Sequence, residues 1–413
     1  MTENSTDILI VGGGMAGGLM AAALADTGLS VTVLDAAPTP QVPAGPAQPR
    51  VSALTEASQR MLAHVGAWQA LPADRVQPYT RMQVWDGDGT GEVHFDARDV
   101  PAEALGWIVE NDALVAALHR VMPANVTWQA GVRMTQVRRV ATGWQVTLAD
   151  GGCLQAPLLI GADGAQSAVR QAAGIPAPAQ DTGHVAIVGS IRTTSPHEGC
   201  ARQRFLTSGP LALLPLFGDG HDCSIVWSLW PQEAERLMAL DDAGFDRALT
   251  QASSEALGAL AFQGRRLVIP IRTLHASSYV RPGLALIGDA AHVVHPLAGQ
   301  GINLGLLDAA VLAEEIQRGL ARGLPHWHEA VLARYARRRR GHNALMQRAL
   351  LGIKSLFEAP SLEWRWLRNT GMKAVNAAAP LKRLLAQEAL GRSGDLPQIA
   401  RDRAGRRTSG VRR

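Results

Sequence analysis

The run Gly12-Gly13-Gly14-Met15-Ala16-Gly17 follows the apolar residues Ile8 to Val11 and opens a helical pattern that reaches Ala25. A second apolar strand, Val31 to Leu34, ends at Asp35, which completes strand, tight turn, helix and strand. In this GxGxxG arrangement Gly12 permits the turn, Gly14 lets backbone approach a pyrophosphate, and Gly17 lets helix and strand pack closely. Ala16 belongs to the same turn. The helix N-terminus offers unpaired N–H groups and a positive dipole end to phosphates, and Asp35 is placed to accept from a ribose. A chance glycine-rich turn would not bring the flanking strand, helix and distal acid with it. The motif alone does not choose between FAD and NAD.

Two later motifs repeat the pattern of buried strand followed by glycine. Leu158 to Ile160 leads into Gly161-Ala162-Asp163-Gly164, and on to Arg170. Leu284 to Ile287 leads into Gly288-Asp289-Ala290-Ala291-His292, and then to Pro296-Leu297-Ala298-Gly299-Gln300-Gly301-Ile302-Asn303. Nucleotide signals in three separated pieces require a discontinuous domain. A chain of 413 residues also exceeds one ordinary core. We assign 1–80, 100–182 and 275–330 to an α/β, Rossmann-like cofactor domain. Segments 81–99 and 183–274 form an inserted β-sheet substrate domain. Residues 331–395 form a helical region, and 396–413 a basic, disordered tail.

In this order and at these distances, the three motifs resemble the flavoprotein hydroxylases of the para-hydroxybenzoate hydroxylase fold. The run from His295 through Gly305 is similar to a signature of the ubiquinone-biosynthesis hydroxylases. The resemblance implies FAD as cofactor, with NAD(P)H and O2 as co-substrates. Reduced flavin would capture O2 as a C4a-hydroperoxide that hydroxylates a prenylated phenol, so no protein nucleophile and no metal is expected. It also implies roles by residue. Asp289, after Gly288, would bind the ribityl chain. Asp163 would hold the pyrophosphate region indirectly and help the nicotinamide approach. Arg50 would reach the phosphates. Pro296 and Gly299, Gln300, Gly301, Ile302 and Asn303 would run beside the isoalloxazine ring, with the following helix stabilising anionic reduced flavin. Leu214, Pro215 and Leu216 resemble the strand bordering the substrate. Met82 to Asp86 and Leu105 to Asn111 look most like the C5 hydroxylases of the pathway.

Several residues keep a plainer reading. Asp289 would serve equally as a helix N-cap, Arg170 as a surface ion pair, and His292 and His295 as satisfied core histidines. Tyr79 and Tyr279 are the only candidate phenol-activating bases. No second GxGxxG is present, so the nicotinamide cofactor is expected to visit transiently.

Composition narrows the partners. Hydrophobic residues make up 47% and charged residues 18%, as in a soluble globular chain, with a net charge of +4 concentrated late. The run Arg337 to Arg340 and the tail read as a solvated helix face and a frayed end. They come with no nucleic-acid motif, so nucleic acid is set aside. Cys153, Cys200 and Cys223 lack metal spacing and fit a reducing cytoplasm. The polar, acidic start resembles no signal peptide. Apolar residues among the late helices, with arginines nearby, suggest peripheral contact with the inner membrane, an assembly partner in a quinone-biosynthesis complex, or a homo-oligomer. Amine oxidases share the nucleotide motifs but take electrons from their substrate. Trp227-Ser228-Leu229-Trp230-Pro231 departs from the WxWxIP pattern of flavin halogenases. A flavin-stabilised, non-catalytic subunit is the reading from another class.

Overall fold

A computed structural model describes residues 3–359 and 361–401. Three uninterrupted apolar strands, β1 (Ile8–Val11), β3 (Leu158–Gly161) and β6 (Leu284–Leu286), are buried on both faces. Such strands belong inside a parallel sheet covered by helices. They pair in the order β6-β3-β1, and β2 (Val31–Asp35) continues the sheet on the far side of β1. Val126–Ala130 closes one edge in parallel, and Val280–Arg281 the other in antiparallel. All four central strands therefore end at one carboxyl edge, where open α/β sheets bind ligands. The three motifs, nearly 280 residues apart along the chain, converge there.

Helix α1 (Met15–Ala22) and helix α2 (Gln300–Leu320) pack together over this sheet. Around β1–β3 and α2 lies the main core, including Leu9, Leu159, Leu286 and Leu312. An eight-stranded sheet forms the second layer. It gathers Arg81–Asp86 and Glu92–Asp96, the strands from Ala179 to His275, and His292–Val293. Among its strands are β4 (Cys200–Leu206) and β5 (Gly209–Pro215), joined antiparallel. A smaller core, with Leu211, Leu213, Trp227 and Phe245, fills the far side of this sheet beneath two helices at 231–238 and 242–252.

Helices α3 (Glu329–Glu358), α4 (Leu362–Ala377) and α5 (Ala379–Ala389) follow. The arginine run proves only half solvated. Arg337 and Arg340 are exposed. Arg338 binds Glu314, Glu315 and Asp395, and Arg339 is buried against Asp308 at 2.7 Å. Helical periodicity explains the split, since adjacent residues point about 100° apart. The expected frayed tail does not begin at 396. Residues 398–400 form a helical turn and Ala400 is fully buried, with Leu396 and Ile399 against the main core. Residues 402–413 lie outside the described residues.

Candidate active site

Two adjoining cavities occupy the carboxyl edge, of about 480 and 300 Å³, and both are lined by Gly14 and Ala162. That combined size suits a large ligand. The smaller holds Gly12, Asp35 and Asp163. The larger holds Ala16, Arg50, Gly288, Asp289, Pro296, Gly299, Gln300, Gly301, Ile302 and Leu214. Most of the candidates that sequence singles out are thus brought together.

The glycine turn is built for close approach. Gly12 has φ +104°, and a Cβ there would lie 2.2 Å from the Ala162 carbonyl oxygen. A Cβ on Gly17 would lie 1.9 Å from the Gly12 carbonyl oxygen. On Gly14 a Cβ would meet nothing within 4 Å, because it points into the cavity. So Gly12 and Gly17 serve the protein's own packing, while the space at Gly14 is available to a ligand. Asp35 accepts the Gly13 N–H at 2.6 Å and the Ala37 N–H at 2.8 Å, which fixes its carboxylate at the rim of the smaller cavity.

The second loop is self-braced. Asp163 accepts from the Ser167 hydroxyl at 2.5 Å and the Val169 N–H at 3.1 Å. Arg170 is no surface ion pair. It is buried and donates to the carbonyls of Ala165 and Ala290, both at 2.8 Å, tying this loop to the third. A buried guanidinium finds no water, so it takes backbone carbonyls instead.

In the third loop the Asp289 carboxyl opens on the cavity with protein around it. Enclosure raises its pKa, and His292 and Arg50 offset only part of that rise. Nothing caps a helix with it, so the N-cap reading falls. Arg50 is exposed at the cavity wall and ends a loop anchored by the fully buried Glu110, which accepts the Gln48 N–H and pairs with Arg75. The N-cap of α2 is Gly299, which has no side chain to cap the helix, and the first residues of α2 line the cavity. A helix terminus open to a cavity presents N–H groups and positive potential. An exposed arginine, a helix N-terminus open to the cavity and an open glycine turn together fit the two phosphates of FAD and the negative charge that its ring carries when reduced.

Three sequence candidates are placed otherwise. Asn303 is buried and does not line the cavity. It accepts from the Thr55 N–H and the Ser58 hydroxyl and donates to the carbonyls of Ala53 and Gly299, stapling α2 to Val51–Leu54. Pro215 is buried on the opposite face, because side chains alternate along β5 and only Pro210, Ala212 and Leu214 face the cavity, while Leu216 follows the end of the strand and is buried without lining it.

His292 is a core histidine whose Nε2 is bound at 2.5 Å to Asp308, while its Nδ1 has no partner among the described residues, so the plain reading of a satisfied core histidine holds for one ring nitrogen only. Burial alone would raise the Asp308 carboxyl, but His292 and Arg339 together hold it well below the usual range. His295 is equally buried; its Nδ1 accepts the Leu297 N–H while its Nε2 has no partner among the described residues. Of the two tyrosines, Tyr279 lies in the Asp308 network, bonded by Asn343. Tyr79 lines the cavity, and burial pushes its pKa up to about 12, so it stays protonated and is no base at neutral pH.

Sequence reading missed Gln203 on β4. It is buried, lines the cavity beside Ala201, and its amide has no partner among the described residues. Only its phase on an alternating strand would have pointed to it.

A family model described as an FAD binding domain matches residues 5–349. The chain is 37% identical to a ubiquinone hydroxylase of Rhodospirillum rubrum, over 94% of this chain and 90% of that protein. It is 36% identical to the 3-demethoxyubiquinol 3-hydroxylase of Escherichia coli, over 95% and 100%. This chain belongs to the ubiquinone-biosynthesis FAD hydroxylase family. A mitochondrial ubiquinone biosynthesis monooxygenase of Xenopus tropicalis is 34% identical over 91% of each chain. Among solved structures, a probable FAD-dependent monooxygenase of Pseudomonas aeruginosa superposes with a TM-score of 0.74 at 25% identity, covering 90% of this chain and 100% of that one. The p-nitrophenol 4-monooxygenase of Pseudomonas putida shares the fold, with a TM-score of 0.75 at 17% identity over 94% and 99%. The α/β architecture with its helical C-terminus is that of the flavoprotein monooxygenases.

Proposed function

We propose that this family member hydroxylates the ring of a prenylated phenol in ubiquinone biosynthesis, with NAD(P)H as electron donor and O2 as oxygen donor. The observation that carries the reading is a single cavity in which the N-terminal end of α2, Arg50 and Asp289 meet the apolar wall of Pro210, Ala212, Leu214 and Val226. Bound FAD would supply the redox chemistry and the activation of oxygen. The residues of the chain do the rest. Arg50 and the Gly14 turn hold phosphate, and Asp289 accepts from ribityl hydroxyls. The α2 N-terminus stabilises negative charge on the ring system. Gln203 offers the phenol hydroxyl both a donor and an acceptor, while the apolar wall excludes water and accepts a prenyl chain. Tyr79, kept protonated, donates but does not take the phenol proton.

For the ring position we favour C5, on the likeness of Met82 to Asp86 and Leu105 to Asn111 to that branch; Met82 lies on the cavity wall, where it would touch substrate. The Escherichia coli relative is named a 3-hydroxylase, which makes that position the second reading. Complementation of bacteria each lacking one ring hydroxylase, with mass spectrometry of the lipid intermediates, tests both. Restored quinone in the C5-deficient strain supports the favoured position, and restoration only in the 3-hydroxylase-deficient strain replaces it. No recovery in any strain, despite FAD-loaded protein, would remove the pathway assignment.

A further inference from the structure

Helices α4 and α5 have already buried one face each. On α4, Arg368 binds Asp86 at 2.7 Å with both side chains buried, and Asn369 binds Asp86 at 2.9 Å. On α5, Lys382 binds Asp99 at 2.7 Å, while Ala386 and the following Leu390 pack against Val100 and Leu105. Their outward faces nevertheless carry Trp364, Trp366, Leu367, Leu381, Leu384 and Leu385, with Trp366 69% and Leu384 60% exposed. Apolar side chains in that concentration, on helices whose inner faces are satisfied, mark a surface that something else covers.

Charge identifies the covering. Residues 329–389 contain twelve basic and four acidic side chains, whereas residues 1–328 contain twenty-one and thirty; after ion pairing among the described residues, Arg337, Arg340, Arg348, Arg365, Lys373 and Arg383 remain against Glu329, Glu363 and Glu388. The apolar faces thus sit in the positive part of a chain whose larger part is negative. Arg365, Lys373 and Arg383 interleave with the tryptophans and leucines, the composition of helices that lie in a lipid–water interface. A second copy of the chain would be a poor fit, because a self-complementary contact through this segment would set like charges against one another. The same helix also reaches the active site, since Ala389, the last residue of α5, lines the larger cavity with Gly14, Asp289 and Leu214.

We propose that α4 and α5 dock the protein on an anionic lipid bilayer, placing the cavity wall at Ala389 beside the lipid in which a prenylated substrate dissolves. The docking stands on the surface alone; the delivery of substrate rests on the proposed ring hydroxylation.

The test is flotation of the full-length, FAD-loaded protein with vesicles of phosphatidylcholine and phosphatidylglycerol, against pure phosphatidylcholine. Binding to the anionic vesicles is expected, weakened by salt and at least about tenfold weaker on the neutral ones. Trp366→Glu and Leu384→Glu should each lower it by about tenfold or more, with melting temperature and FAD content unchanged. Arg383→Gln, which leaves the apolar face intact, should weaken anionic binding alone. Absence of wild-type binding, equal binding to both vesicles, or unaltered binding by all three variants overturns the proposal. A dimer that these changes dissociate, without vesicle binding, overturns it in favour of an interface between copies. For delivery, the glutamate variants should lose NAD(P)H oxidation with a long-chain phenol presented in vesicles and keep it with a short-chain soluble phenol. Vesicle binding without stimulation by either phenol would reject the hydroxylase reading and leave the docking in place.

Discussion

A methyl group added at Gly14 would meet only the cavity, whereas one added at Gly12 would overlap the Ala162 carbonyl. The two positions therefore separate cofactor binding from folding. Gly14→Ala should leave apoprotein stability within about 0.5 kcal/mol of wild type and weaken FAD retention, measured by flavin released on gel filtration. Gly12→Ala should instead destabilise the apoprotein by about 2 kcal/mol or more, through strain at positive φ and backbone overlap. Gln203→Leu should leave FAD content unchanged and raise the KM for the phenol by about tenfold, the scale of one lost hydrogen bond in a dry site; an unchanged KM would remove Gln203 from the substrate contacts. The glycines are legible in the sequence because their requirement is local, a turn between a strand and a helix. Gln203 is not, since a lone amide on a strand says nothing until its partnerless end is seen in a cavity.

The loop from His295 to Gly299 depends on a histidine that is kept neutral. Burial first, then Lys354 and His184, lower the His295 pKa from the usual 6.5 to about 4. The unfolded chain therefore binds more protons between these values, and stability rises with pH across that window. As pH falls from about 6.5 to about 4 the folded state should lose stability, because the protonated ring can no longer accept the Leu297 N–H. Thermal melts in this window should show a shallower slope for His295→Gln; an unchanged slope would assign the acid sensitivity elsewhere. At this scale the strands β1, β3 and β6 are readable as unbroken apolar runs, and β5 only in part. Its run from Leu211 to Leu216 hides an alternation in which Pro210, Ala212 and Leu214 face substrate space and Leu211 and Leu213 face a second core. Asn303 misleads for a related reason. It sits in a flavin-loop signature, but its partners Ala53, Thr55 and Ser58 lie some 250 residues earlier, so its use as a staple emerges only in three dimensions.

Across the whole molecule, α2 and α3 are locked through a buried polar network in which Asp308 meets His292, Arg339 and Asn343. Tyr335, on α3, donates to the Leu286 carbonyl at 2.6 Å and ties that helix to the central sheet. Removing one charge leaves the other buried without its partner, so Arg339→Met should cost about 3–5 kcal/mol in denaturant unfolding. A cost below about 1 kcal/mol would mean that Asp308 is held by its other partners alone. The convergence of three distant motifs is inferable from their order, while this lock is not, because an arginine run offers no sign of which member turns inward. In the proposed reaction the cavity joins FAD to a ring that it oxygenates. The most direct test of that reaction follows NAD(P)H oxidation by the FAD-loaded protein with a prenylated phenol under isotopically labelled O2, with mass spectrometry of the product. Phenol-stimulated oxidation and one labelled oxygen on the ring are expected. Phenol oxidised without incorporated label, or NAD(P)H consumption indifferent to phenol, would contradict it.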